Sequence, residues 1–146
     1  MSITLAQAIK NAIVAENAAE QFYLRLAQTC ADEKGRALLR DIAAQEQGHA
    51  SALEGVAVRL AAGQLPERAD ALVNRIESAP IGYNPEGLDL ADALEIAVDA
   101  ENSAILYYDA LAATATGEAA LFFEHMGKEE QAHAAAIRAL LAEVRG

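Results

Sequence analysis

Tryptophan is absent from this chain, and Phe and Tyr together supply only 5% of its residues. Proline occurs at Pro66, Pro80 and Pro85 alone, so two long stretches on either side carry none. Apolar residues make up 53% of the 146, and much of that is alanine. Such a composition disfavours sheets, which draw on aromatic and β-branched residues, and favours packed helices. Cysteine occurs once, at Cys30, which excludes an intrachain disulfide framework and a Cys-x-x-Cys metal knuckle. No apolar run reaches the roughly 18–20 residues of a membrane helix. The lone thiol fits a reducing compartment, so a cytoplasmic protein is expected, and the opening Met1-Ser2-Ile3-Thr4 lacks the basic flank and apolar core of a signal peptide. Positive charge is scarce too: 11 Lys and Arg against 22 Asp and Glu leave a net charge of −11. That balance disfavours nucleic acid and membrane surfaces as partners and suits cation capture.

The length fits a single domain, 1–146. Thr4 can cap a first helix over 4–29, with Leu5, Ile9, Ile13, Ala19, Tyr23 and Ala27 on one stripe. A second helix is expected from about Asp32 to Ala62, closed by Gly63. Residues 64–88 form a connection, with a short helix expected over Glu67–Ser78 and then a turn-rich stretch. Asp89 can cap a third helix running to about Ala115, and a fourth spans about Glu118 to Val144. The predicted fold is all-α: hairpin 4–63, connection 64–88, hairpin 89–145.

The two hairpins repeat. Glu46-Gln47-Gly48-His49 in the second helix matches Glu130-Gln131-Ala132-His133 in the fourth at an offset of 84. Glu16 and Tyr23 in the first helix match Glu101 and Tyr108 in the third at an offset of 85. Residues three apart share a helix face, so each Glu-x-x-His aims a carboxylate and an imidazole the same way. Around the first motif that face carries Leu39, Ile42, Ala43, Ala50 and Leu53; around the second, Phe123, Met126, Ala134 and Ile137. A carboxylate on a core-facing stripe is costly unless something neutralises it. Two inward glutamates plus two Glu-x-x-His pairs form the ligand set of a dinuclear carboxylate site in a four-helix bundle. Four carboxylates balance two divalent ions, which lifts the objection to burying them. Oxygen and nitrogen donors without thiolate suit iron or manganese, and zinc would bind as well.

These residues resemble the ferritin-like di-iron carboxylate superfamily, and within it the rubrerythrin-like branch without a rubredoxin domain. The resemblance spans nearly the whole chain and rests on Glu16 with Tyr23, Glu46 with His49, Glu101 with Tyr108, and Glu130 with His133. It implies two iron ions held by Glu16, Glu46, His49, Glu101, Glu130 and His133. It implies reaction with peroxide or dioxygen, electrons from an external donor, and a homo-oligomer, most simply a dimer. A ferroxidase subunit of an iron-storage shell and a non-redox two-metal bundle are the alternatives.

The chain departs from that pattern in two ways. The four-cysteine rubredoxin site is missing, and Ala104 stands where rubrerythrins carry an extra glutamate one turn after the third-helix ligand. Glu20, whose repeat partner is Ile105, is a further candidate ligand. His125 has no partner in the repeat and reads as a surface residue, as do Glu124 and Glu129.

Tyr23 and Tyr108 are the candidate catalytic residues, acting through the carboxylates. Each lies seven residues after its own glutamate, hence on nearly the same helix face. If the halves are related by a two-fold axis across the bundle, Tyr23 should bond Glu101 and Tyr108 should bond Glu16.

Overall fold

A computed structural model describes residues 2–64, 72–74, 85 and 87–146. Four long helices dominate: α1 (Leu5–Thr29), α2 (Glu33–Ala61), α3 (Leu90–Thr114) and α4 (Gly117–Arg145). Helix α1 packs along α2, and α3 along α4, so each half is a hairpin. The hairpins meet through α1 against α3 and α2 against α4. The architecture is the expected bundle of two repeated hairpins.

Local chemistry sets the helix ends. Thr4 caps α1 by accepting a hydrogen bond from Gln7 N at 3.2 Å. Asp32 caps α2 in the same way, accepting from Gly35 N at 2.8 Å. Helix α2 ends in a Schellman turn. Gly63 takes φ +70°, its N–H reaches Leu60 O, and Gln64 N–H reaches Arg59 O. Asp89 sits at the N-cap of α3 as expected, but its side chain makes no capping bond.

The connection differs from expectation. Most of the helix expected over Glu67–Ser78 lies outside the described residues. Within it, Leu72–Asn74 form a short strand, β2, rather than a helical turn. It pairs antiparallel with β1 (Ser2–Thr4), setting Ile3 opposite Val73. Pairing with the start of the chain satisfies backbone groups that a lone helical turn would leave half-bonded. None of the described helices is long and apolar enough to cross a membrane.

The apolar interior is divided in two. One cluster gathers Leu5, Ile9, Leu53, Leu111, Phe123 and Met126 at the end of the bundle where α1 begins. The other gathers Phe22, Leu26, Leu39, Ile42, Leu94 and Ile137 at the opposite end. Every residue assigned from sequence to the faces of the two Glu-x-x-His motifs is buried here. Phe123 is fully enclosed, with 0% exposure. Phe123→Ala should therefore cost about 3–5 kcal/mol, read as a fall in the urea midpoint at unchanged slope.

Candidate metal centre

Between the two apolar clusters lies a polar layer. Among the described residues, the buried polar or charged side chains are Glu16, Glu46, His49, Glu101, Glu130 and His133. These are the six that the repeat singled out. None is more than 6% exposed. One helix face explains the convergence: each residue sits near the middle of its helix, on the stripe that the apolar clusters continue in both directions.

The pairings show the two-fold relation. Tyr23 donates to Glu101 Oε1 at 2.6 Å, and Tyr108 donates to Glu16 Oε1 at 2.6 Å. His49 Nδ1 lies 3.1 Å from Glu130 Oε1, and His133 Nδ1 lies 3.1 Å from Glu46 Oε1. In both sets the order reverses between partners, so α1 runs antiparallel to α3, and α2 to α4. The two imidazole rings lie nearly parallel, 5.9 Å apart at 21°.

The donors fall into two groups. Glu16, Glu46, His49 and Glu130 form one, and Glu46, Glu101, Glu130 and His133 the other, with the donor atoms of each within 4.8 Å of one another. Glu46 and Glu130 belong to both, the position of bridging carboxylates. Glu16 with His49, and Glu101 with His133, close the two ends. Glu20 is half-buried and belongs to neither group.

Each of the six residues turns one buried atom inward with no hydrogen-bond partner: Glu16 Oε2, Glu46 Oε1, His49 Nδ1, Glu101 Oε2, Glu130 Oε1 and His133 Nδ1. Several lie within ion-pairing distance, as His49 Nδ1 does from Glu16 and Glu46 at 3.5 and 3.4 Å, yet none of these contacts is aligned as a hydrogen bond. Two donors on one ion at about 2.1 Å stand roughly 3.0–3.4 Å apart. The spacing and the orphaned atoms therefore fit cations held between them, in two places.

Electrostatics point the same way. Burial, with Glu46 and Glu130 nearby, pushes Glu16 up to about 8 despite its contact with His49. Burial and Glu130 do the same to Glu101, also to about 8. Burial alone would lower the histidines, but the surrounding carboxylates outweigh it. His133 rises to about 12 and His49 rises far above its ordinary range. Both tyrosines are raised well above their usual value by burial and by the carboxylates they face, so their hydroxyls stay protonated as donors.

Two residues at the centre were not singled out from sequence. Glu129, expected on the solvated face, instead places Oε2 3.2 Å from the outer nitrogen of His49. Gln45 places Oε1 2.7 Å from the outer nitrogen of His133. Each precedes the glutamate of its own motif and reaches the histidine of the other half. The offset of 84, extended one residue outward, pairs them and was the available signal. His125 is exposed, as expected, and is ion-paired to Glu129. A cleft of about 40 Å³ opens to the layer between α1 and α3, its walls including Ala15, Ala19, Phe22, Ala100, Ala104 and Tyr107.

The fold and this layer define the class: a ferritin-like four-helix bundle with the residue set of a two-metal carboxylate centre. The rubrerythrin family model matches residues 2–57 and 92–146, and the chain belongs to that family. The solved structures that it resembles include a Thermotoga maritima protein described as ferritin-like and diiron-carboxylate. It is 18% identical with a TM-score of 0.81, over 97% of this chain and 96% of that one. A hypothetical protein from Pyrococcus furiosus is 21% identical with a TM-score of 0.79, over 97% and 90%. No curated protein sequence matches the chain.

The raised pKa values fix a pH dependence. A folded-state pKa above the group's ordinary value means that the fold favours the protonated group. For Glu16 and Glu101 the associated stability is complete below pH 4.5 and is lost as the pH rises to about 8. For the histidines it is complete below 6.5 and lost at still higher pH, in the same direction. The melting temperature of metal-free protein should fall between about pH 5 and pH 9. Cation-loaded protein should lack this fall, because bound cations require the groups deprotonated. Thermal melts by circular dichroism across that range, with and without chelator, check it; a metal-free midpoint that rises with pH would contradict it.

Proposed function

We propose that this protein is a di-iron oxidoreductase that reduces peroxide, or reacts with dioxygen, using electrons from an external donor. The observation that carries this reading is the pair of four-donor groups sharing Glu46 and Glu130. In this reading Glu46 and Glu130 would hold both ions, Glu16 and His49 would complete one position, and Glu101 and His133 the other. A ferrous pair supplies two electrons, enough with two protons to take peroxide to two waters.

The chain's own residues govern what reaches the centre and how it is held. Tyr23 and Tyr108 fix the carboxylate orientations of Glu101 and Glu16 and are positioning residues. The apolar clusters above and below exclude bulk water. The small cleft between α1 and α3 has room for a molecule of about the size of peroxide or dioxygen. Ala104, in the place of the extra rubrerythrin glutamate, lines that cleft, so no carboxylate from this position can swing into the site.

Metal analysis of protein expressed anaerobically in iron-rich medium should return two iron ions per chain. Glu46→Ala and Glu130→Ala should each lose at least one ion, and unchanged stoichiometry in both would end the reading. Tyr23→Phe and Tyr108→Phe should keep the fold and weaken metal binding, or slow ferrous oxidation, by about 10- to 100-fold. Stopped-flow absorbance with peroxide measures the second effect.

A further inference from the structure

The inner donors obey the two-fold relation, but the residues behind them do not. On α4, His125 Nε2 lies 2.6 Å from Glu129 Oε1, and Glu129 Oε2 lies 3.2 Å from His49 Nε2. On α2, Gln45 Nε2 donates to Asp41 Oδ2 at 3.0 Å, and Gln45 Oε1 lies 2.7 Å from His133 Nε2. The same offset of 84 relates Asp41 to His125 and Gln45 to Glu129, so these are equivalent places filled by different chemistry. In one half a carboxylate touches the imidazole and an imidazole stands outside it. In the other half an amide touches the imidazole and a carboxylate stands outside.

The amide orientation is fixed by its neighbours. With Gln45 Nε2 directed at Asp41, only Oε1 can face His133, and an oxygen there must accept from Nε2–H. In the neutral ring, the form that binds a cation, this leaves His133 Nδ1 with its lone pair toward the donor group. Glu129, when ionised, is likewise an acceptor only, so it too favours a proton on the outer nitrogen of His49 and a lone pair on Nδ1. The difference is charge. The Gln45 contact is an aligned hydrogen bond to a neutral amide. The Glu129 contact is an ion pair, not aligned as a hydrogen bond, but its partner carries a full negative charge. A charged acceptor on the far nitrogen pushes more electron density to Nδ1 than an amide does, and so raises the basicity of that ligand.

We propose that Glu129 is a positioning residue for His49, and that its pairing against neutral Gln45 makes the two cation positions unequal, with the Glu16–His49 position the tighter. The inference rests on the two-metal reading above. Stepwise binding of a divalent ion should then occur in two separated steps although the inner donor sets are equivalent.

The test is calorimetric and spectroscopic titration of metal-free protein with Co²⁺ alone. The unaltered chain should bind two ions in separate steps. Glu129→Gln, which places an amide behind both histidines, should weaken the tighter step by about 10- to 100-fold and draw the two steps together. Gln45→Glu should strengthen the weaker step. Glu124→Gln removes an exposed charge from the same helix and should move neither. Melting of the metal-free variants establishes that each folds. Two ions bound with unchanged step separation in Glu129→Gln would overturn this inference and leave the two-metal reading standing. An equal shift in Glu124→Gln would also overturn it, reducing the effect to net charge. Failure of the unaltered chain to bind two ions would overturn both.

Discussion

Four carboxylates and two imidazoles share one buried layer, and the rest of the molecule is arranged around keeping them there. Like charges at this density repel, and their removal from water costs several kcal/mol per ion. A protein accepts that cost in one of two ways: it holds protons on the groups or holds cations between them. The raised pKa values of Glu16 and Glu101 are the proton-holding state seen from the side of the chain. The six inward atoms without hydrogen-bond partners are spaced as the donors of two cations would be. The long helices follow from this constraint. Each must reach past the layer far enough to bury an apolar cluster beyond it, and Phe123 and Leu39 anchor those clusters at opposite ends.

Symmetry makes the layer compact. Because α1 is antiparallel to α3, a seven-residue step on one helix is matched by a seven-residue step on the other, and both tyrosine–glutamate bonds close at the same length. A single helical hairpin supplies three donors of one group and one of the other, since Glu46 and Glu130, one from each half, belong to both. The site is therefore a property of the docked pair. The short strand pairing between β1 and β2 ties the connection to the start of α1, at the end of the bundle away from the tyrosine of that helix.

Departures from symmetry are where individual character enters. The cleft lies on the α1–α3 side, where alanines keep the walls low, while the α2–α4 side carries the histidines and the residues behind them. The cleft and the residues behind the histidines thus lie on opposite faces of the bundle. A change on one face need not disturb the other.

Much of this was legible in the sequence, and the reason is local. Helix periodicity puts residues three, four and seven apart on one face, so Glu16, Glu46, His49, Glu101, Glu130 and His133 declared themselves as charged interruptions of apolar stripes. The equal spacing of Tyr23 and Tyr108 from their glutamates allowed even the cross-pairing to be worked out. What the sequence left open depends on contacts between helices. Glu129 reads as solvated because it is off the apolar stripe of α4; only the approach of α2 brings His49 to it. Gln45 is silent for the same reason. Glu20, one turn from Glu16, was a further candidate, yet it is half-buried and belongs to neither donor group. Leu72–Asn74 read as helical, and the strand at the start of the chain decided otherwise. Periodicity thus determined which residues face inward, and helix packing alone decided which inward and edge residues meet.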